Sequence, residues 1–229
     1  MRNVVFIAPF PLETTLRFAR ALGGIANVRL LGVWQEPPQG ADARLFHDVV
    51  TVRDGLDTRQ LIEACELLRK RHGDFHRVTG ILEPLQVQIA AVRTHFNVPG
   101  PDVGTAERFR DKSLMKDVLR ENGLPCARHK LLKSVGDAME FAKVVGFPIV
   151  LKPPAGMGCK ATWRVHHESE LAAALDAVGV SPENPTLAEE FLKGREFSFE
   201  TVTVGGEVRC HSISHYLPTP LEVMEQPWI

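Results

Sequence analysis

Short apolar runs alternate with segments of helical periodicity through the first part of the chain. Four runs have the length and residue types of β-strands, at 3–8, 28–34, 49–52 and 78–82. Helices are predicted at 15–22, 57–73 and 84–96. The second of these helices begins with Asp57 and Gln60 in a capping pattern. Strand–helix alternation of this kind predicts a parallel sheet that is covered by helices on both faces.

The pattern changes after the connector 97–101, Asn-Val-Pro-Gly-Pro, which is the predicted domain boundary. A helix at 111–122 leads into a smaller unit that mixes strands and helices. Its predicted strands are 128–132, 147–152, 162–165 and 186–190, and its predicted helices are 134–145 and 168–178. Two further strands, 196–204 and 207–214, are joined through Gly205-Gly206 as a hairpin. The expected fold class is therefore α/β, with a parallel sheet followed by a small α+β unit.

The composition is that of a soluble globular protein, with 44% hydrophobic and 24% charged residues and a formal net charge of -1 over 229 residues. This balance gives no reason to expect nucleic acid or an acidic membrane surface as a partner. No apolar run reaches the roughly 20 residues that span a bilayer. The four cysteines form no CxxC pair, so neither a zinc site nor a disulfide framework is predicted. Reduced thiols and a cytoplasmic location are the expectation.

Two lysine-containing segments have residues suited to binding phosphate, and each has a plain structural alternative. Lys112 stands in the first turn of the helix 111–122, where a solvated surface lysine is the alternative. Lys152 ends a buried strand and precedes a loop with Gly156 and Gly158. An ammonium group beside accessible backbone N–H groups suits phosphate oxygens. A hairpin turn is the alternative for this loop, which does not have the GxxxxGK[ST] spacing of a Walker loop.

A third segment, 187–199, runs from a strand through a short connector to a new strand that starts with Glu196. An adenine needs backbone donors and acceptors at its edge, and a ribose needs a carboxylate that accepts from its hydroxyl groups. The connector and Glu196 offer both groups. The alternative is a charge pair at the end of a surface strand.

Taken in order, the three segments resemble the ATP-grasp superfamily: DK-x-x-x-K, then FPIVLKP with its glycine loop, then EEFLKGREFSFE. The resemblance covers roughly residues 99 to 205 and is to the carboxylate–amine ligase type, similar to biotin carboxylase, carbamoyl-phosphate synthetase and L-amino-acid ligases. It implies a Rossmann-like preATP-grasp domain at 1–98 and a partial ATP-grasp domain at 99–229. Within the latter, a small subdomain is expected at about 124–187, and the start of a truncated antiparallel sheet from 188.

The resemblance also implies roles for residues that match the phosphate-binding motifs. Lys112 and Lys152 would contact ATP phosphates, with Lys152 also near the adenine. The loop around Gly156 and Gly158 would fold over the β- and γ-phosphates, and Lys160 would add charge there. The loop departs from the most glycine-rich versions of the family, because Pro153-Pro154 stiffens its start and Met157 separates the glycines.

The remaining implied roles concern the adenine and the ribose. Glu189 would accept from the adenine amino group, and backbone atoms of Glu190 and Leu192 would bind the edge of the ring. Glu196 would hold the ribose. The cofactors implied in this way are ATP and Mg²⁺.

Magnesium takes oxygen ligands, which in the family are an acidic residue and a Glu-x-Asn pair well after the position of Glu196. Here the only acidic residues after Glu196 are Glu200, Glu207, Glu222 and Glu225, and no Glu-x-Asn occurs. We therefore expect the Mg²⁺ ligands to lie outside this chain. The chain would be a fragment or a subunit that is completed elsewhere, and by itself it would be inactive as a ligase.

The leading hypothesis is an ATP-dependent ligase that activates a small carboxylate as an acyl phosphate for attack by an amine or other nucleophile. An amino acid is one candidate for the carboxylate. The alternative is a nucleotide-binding regulatory or adaptor module without chemistry. A dinucleotide-binding domain at 1–98 is disfavoured, because 6–11 lacks the GxGxxG pattern. Glu83, at the end of a strand, is either a contact to the acceptor substrate or a helix N-cap.

The predicted hairpin at 196–214 has unpaired edges and an apolar face expected to carry Phe197, Phe199 and Val202. Two outcomes are open: the tail 216–229 folds back over the hairpin, or two copies of the chain pair through it. Pro218 and Pro220 disfavour a regular covering strand, since proline removes donors from a sheet. A homodimer through this hairpin is therefore the expected assembly.

Overall fold

The structure of the chain is a computed structural model that describes residues 1–156, 161–226 and 228. It consists of two compact units, Met1–Arg110 and Asp111–Ile229. The sequence placed the boundary earlier, at 98/99, because it left the segment before Arg110 unassigned. That segment forms a helix, Val103–Arg110, which packs against the preceding helix and so belongs to the first unit.

The first unit alternates strands and helices as predicted. Its elements are β1 (Arg2–Ala8), α1 (Glu13–Gly23), β2 (Val28–Trp34), α2 (Gly40–Ala43), β3 (Asp48–Thr51), α3 (Thr58–His72), β4 (Arg77–Thr79), a 3-10 turn (Glu83–Leu85), α4 (Gln86–His95) and α5 (Val103–Arg110). The four strands pair in parallel in the order β3-β2-β1-β4. The predicted parallel sheet is thus confirmed.

Alternation along β1 distributes its side chains between two hydrophobic cores. Val5 and Ile7 pack with α3 and α4 on one face of the sheet, whereas Val4 and Phe6 pack on the other face with residues that include Trp34. Successive strand residues point to opposite faces, so a run of apolar residues requires cover on both sides. The described helices supply that cover.

Two charged residues near helix starts have different roles. Asp57 caps α3, and one of its carboxylate oxygens accepts from the backbone N–H groups of Arg59 at 2.9 Å and Gln60 at 3.3 Å. Glu83 is not an N-cap, which corrects one of the alternatives above, because it lies inside the 3-10 turn that follows Leu82. Its carboxylate accepts instead from Arg110 Nη1 at 2.8 Å.

The second unit contains a small antiparallel sheet and a separate hairpin. Its elements are α6 (Lys112–Glu121), β5 (His129–Leu132), α7 (Val135–Val145), β6 (Ile149–Lys152), β7 (Trp163–Val165), α8 (Glu168–Val178), β8 (Thr186–Glu190), β9 (Phe197–Val204), β10 (Glu207–His215) and α9 (Pro220–Glu225). The small sheet has the order β5-β8-β6-β7. The α/β fold class with an α+β second unit, as predicted, is confirmed.

The two faces of the small sheet differ in character. Ile149 and Leu151 of β6 and Ala188 of β8 are buried in a core that includes side chains of α7 and α8. Val150 and Glu189, which pair across β6 and β8, lie on the opposite face. The face away from the helices is therefore free to form a binding site.

Strands β9 and β10 pair with each other and are exposed along their length, apart from the half-buried Ser198. Phe199 lies opposite Ile213, and these side chains are 66% and 64% exposed. Val202 was expected on the same face, but it is an odd number of residues from Phe199 and so points to the other one. In the described part of the tail, α9 leaves the hairpin uncovered; its Glu225 pairs with Arg164.

A helix that spans a bilayer needs about 20 predominantly apolar residues. Among the described residues, no helix combines the length and the apolar character needed to cross a membrane.

Candidate nucleotide site

A cavity of about 700 Å³ lies within the second unit. Side chains from α6, from the carboxyl half of β6, from β8 and its following connector, and from α9 line its walls. Seven of the residues singled out from the sequence contribute to the lining: Lys112, Lys152, Gly156, Glu189, Glu190, Leu192 and Glu196. Three separate sequence segments therefore converge on one cavity. Gly158 and Lys160, the other two, lie outside the described residues.

Glu189 is the central charged group of the cavity and is only 7% exposed. Its Oε2 accepts from Lys152 Nζ at 2.7 Å, and its Oε1 lies 3.4 Å from Lys116 Nζ. The second contact is an ion pair without hydrogen-bond geometry, because Oε1 has no hydrogen-bond donor among the described residues. A buried carboxylate oxygen in this state can accept a hydrogen bond from a ligand.

Lys116 is a lining residue that the sequence analysis did not select. It stands one turn after Lys112 on α6, and residues four apart share a helix face. The DK-x-x-x-K spacing therefore contained the signal, since it places both lysines on the same side of the helix. Lys116 and Lys152 therefore both lie beside the single carboxylate of Glu189.

Lys112 connects α6 to the loop that follows β6. Asp111 caps the helix by accepting from Ser113 N at 2.7 Å, so Lys112 is held at the first helical position. Its Nζ donates to the carbonyl of Gly156 at 2.7 Å, and its backbone N–H donates to the carbonyl of Pro154 at 2.9 Å. The start of the helix and the described part of the loop are thereby joined.

The connector after β8 has two backbone N–H groups with protein acceptors, followed by one without. The Glu190 N–H donates to Arg128 O at 3.0 Å, and the Phe191 N–H donates to Pro148 O at 3.3 Å. The Leu192 N–H has no acceptor among the described residues, and the Leu192 side chain is exposed. A donor at the cavity rim is thus available for the edge of a planar ring.

The Glu190 side chain serves the fold and does not enter the cavity chemistry. It accepts from Arg128 N at 2.7 Å and from Arg128 Nε at 2.6 Å. The Arg128 backbone N–H, with help from the guanidinium group, holds the pKa of Glu190 below its ordinary value. Because the Glu190 backbone N–H also donates to Arg128 O, the adenine contact that the resemblance implied for the Glu190 backbone stays a prediction.

The carboxylates that line the cavity, those of Glu189, Glu190 and Glu196, are the candidates for a cation site there. Among the residues that the structure describes, no three His, Cys, Asp or Glu side chains are grouped so that they could hold a metal ion. Glu189 is already balanced by two lysines, and Glu196 is the other carboxylate free to face the cavity. These described residues do not form a ligand set for Mg²⁺.

Residues 111–203 match a family model described as carbamoyl-phosphate synthase L chain, ATP binding domain. The chain is 27% identical over 174 residues to the L-arginine-specific L-amino acid ligase of Bacillus subtilis, covering 74% of this chain and 42% of that protein. It is 30% identical over 136 residues to the mitochondrial carbamoyl-phosphate synthase [ammonia] of Aquarana catesbeiana, covering 58% of this chain and 9% of that protein.

Solved structures give the same likeness at the level of the fold. An L-amino acid ligase from Bacillus licheniformis superposes with a TM-score of 0.74 and 23% identity, over 94% of this chain and 50% of that one. The biotin carboxylase domain of Hydrogenobacter thermophilus 2-oxoglutarate carboxylase, solved with MgADP, superposes with a TM-score of 0.68 and 19% identity, over 86% and 45% of the two chains. The chain thus spans about half the length of these relatives or less. It is a relative of the ATP-grasp carboxylate–amine ligases, and its residues 111–203 are similar to the ATP-binding domain of the carbamoyl-phosphate synthase L chain.

Proposed function

We propose that the cavity of the second unit binds ATP and is the nucleotide site of a ligase that activates a small carboxylate as an acyl phosphate for attack by an amine. The observation that carries this proposal is the convergence of three family motifs on one cavity around Glu189. An amino acid is the favoured carboxylate, because two of the similar proteins are L-amino acid ligases. The free thiols of Cys65, Cys126 and Cys210 support a reducing, cytoplasmic location.

Hydrogen-bond complementarity supports adenine as the base. The unpartnered Oε1 of Glu189 is an acceptor that suits the adenine amino group, and the Leu192 N–H is a donor that suits a ring nitrogen. Guanine has a carbonyl oxygen in place of the adenine amino group. Because this oxygen and Glu189 Oε1 are both acceptors, they could not form a hydrogen bond. Glu196, at the start of β9, is available for the hydroxyl groups of the ribose.

Charge supports binding of the phosphates on the side of Lys112 and Lys152. Each supplies an ammonium group at the cavity, and Gly156 brings the backbone of its loop to the same lining. Bound magnesium would neutralise phosphate charge during phosphoryl transfer. The expectation that its ligands lie outside this chain rests on the sequence, which has no Glu-x-Asn pair after Glu196.

Calorimetry with ATP and GTP tests the proposal on the chain itself. We expect weak ATP binding that improves with Mg²⁺, and weaker binding of GTP because of the acceptor at Glu189. An ADP-release assay with amino acids should give essentially no turnover by this chain alone. ATP binding that is absent with and without Mg²⁺ would refute the nucleotide site. Robust carboxylate-dependent ADP formation would refute the placement of the metal ligands. A longer chain that binds ATP but never forms ADP would favour a regulatory module.

Lys152→Ala is expected to weaken ATP binding by about 1–3 kcal/mol, the range for a charge-assisted contact. Lys152 is held on a strand and by Glu189, so its charge is already in place and little freedom is lost on binding. Lys160→Ala should weaken binding less, and Lys133→Ala, which removes an exposed lysine outside the lining, should leave the affinity unchanged. Equal or reversed effects of the Lys152 and Lys160 variants in a titration would contradict the assignment.

Self-association through β9 and β10 is the expected behaviour of the exposed hairpin. Its edges offer unpaired backbone groups, and Phe199 and Ile213 present apolar surface to solvent. Light scattering over a concentration series should show a dimer that Phe199→Glu weakens. Val144→Glu, at a similarly exposed apolar position on α7, is the control and should not change the mass. A monomer at all concentrations would rule the dimer out.

A further inference from the structure

A cleft of about 390 Å³ lies within the first unit at the amino ends of its central strands. Arg2 and Arg77 are the first residues of β1 and β4, and Val28 is the first residue of β2. These three strands are neighbours in the sheet, so their starting residues meet at one edge. Ligands of open parallel sheets usually bind at the carboxyl edge. A cleft at the amino edge is therefore separate from the usual ligand site of such a sheet.

The charged side chains that line the cleft are all basic. Its lining contains three arginines and a histidine: Arg2, His76, Arg77 and Arg93. Among the described residues, no aspartate or glutamate lines the cleft, and no carboxylate pairs with any of the three arginines. Like charges gathered in one concavity repel one another and attract an anion.

Arg93 is the best-positioned of these groups, because it is half-buried and fixed. Its Nε donates to the carbonyl of Val78 at 2.8 Å, which orients the guanidinium group. Gly100 lies against its side chain, and a Cβ there would come within 2.8 Å of Arg93 Cδ. Burial lowers the pKa of Arg93, so the charged form is held at a cost that an anion would offset.

Apart from Thr79, the rest of the cleft lining is apolar. Leu22, Ile25 and Val28 form an apolar wall of this lining, and Ile25 is 52% exposed. An exposed isoleucine beside unpaired cations favours a ligand that is both anionic and partly apolar. Inorganic phosphate has no apolar part, so its binding would leave these apolar side chains exposed to solvent.

We propose that this cleft binds a small organic anion, whose carboxylate or phosphate pairs with Arg2, Arg77 and Arg93 and whose apolar part covers the wall at Ile25. Guanidinium groups suit both anions, because their planar N–H fork can donate two parallel hydrogen bonds to two oxygens. The cleft belongs entirely to the first unit, so the proposal is independent of the ATP site in the second.

The test is a titration of the full chain with phenyl phosphate, followed by the backbone amide resonances. Shifts are expected at Arg2, His76, Arg77 and Thr79. Inorganic phosphate should bind at least about threefold more weakly because it cannot cover the apolar wall. The double variant Arg2→Gln/Arg77→Gln should lower the affinity for phenyl phosphate by about tenfold or more, as expected for lost charge-assisted bonds.

Arg17→Gln/Arg53→Gln is the matched control, since it also removes two exposed arginines of the first unit but none from the cleft. It should change the affinity less than about twofold, the size expected of remote surface charges in salt. An equal loss in both double variants, or shifts confined to the second unit, would overturn the proposal. Benzoate in place of phenyl phosphate separates carboxylate from phosphate ligands. The Arg2→Gln/Arg77→Gln variant should bind ATP with the same affinity as the unchanged chain in calorimetry. A failure of the cleft proposal can then be distinguished from a failure of the proposed nucleotide site.

Discussion

Replacing Glu189 with alanine is expected to lower the free energy of unfolding of the second unit by about 3 kcal/mol, the lower part of the range for breaking a buried ion pair. The side chains of Lys116 and Lys152 are only 12% and 23% exposed, and both would lose their counter-charge. Lys152 keeps some access to water, which is why the lower end of the range applies. ATP binding should be lost in the same variant, because the proposed acceptor for the adenine amino group is removed.

The free energies of unfolding of Glu189→Ala and Glu140→Ala, measured with urea, test this expectation. Glu140 pairs with Lys130 at 3.0 Å, but its side chain is 76% exposed, so its removal should cost at most about 1 kcal/mol. Glu189→Gln keeps the size of the side chain and should fall between the two. Equal losses for Glu189→Ala and Glu140→Ala would contradict the role of Glu189 as a buried counter-ion.

Leu151→Ala is expected to destabilise the second unit by about 2–5 kcal/mol through lost burial and the cavity left behind. Leu151 is fully buried in the core shared by the small sheet, α7 and α8. Leu61 is equally buried in the core of the first unit, so Leu61→Ala is the same substitution in the other core. The two variants should therefore destabilise different units.

Residue-resolved hydrogen exchange shows which of the two units each variant destabilises. Leu151→Ala should accelerate exchange at the amides of β6 and β8, while those of β1 and β2 keep their protection. Leu61→Ala should do the reverse. Equal acceleration in all four strands by either variant would show that the two cores do not unfold separately.

Much of the fold follows from local pattern, and the differences have physical causes. The continuous apolar run of β1 predicted a strand buried on both faces, and Asp57 predicted the start of α3. The strand expected at 78–82 ends at Thr79, since only Arg77 to Thr79 pair with β1. Helix α5 was missed because Ala106 is its one described buried residue, which leaves almost no apolar periodicity to detect.

The candidate site was predictable to the extent that its groups stand in sequence motifs. Lys152 and Glu189 were selected from separate segments, and the structure brings them to 2.7 Å of each other across paired strands. That contact depends on the pairing of β6 with β8, which single-sequence patterns do not encode. The roles of Gly158 and Lys160 remain predictions, because these residues lie outside the described part of the chain.

The alternation along β6 limits how the length of this segment can change. Ile149 and Leu151 face the helices, whereas Val150 and Lys152 face the cavity. Deleting or inserting one residue before Lys152 would reverse this order and drive an ammonium group into the hydrocarbon core. An insertion or deletion of two residues would keep each side chain of β6 on its present face of the sheet. Related genes should therefore tolerate substitutions within this strand and paired length changes near it, but select against single-codon insertions and deletions.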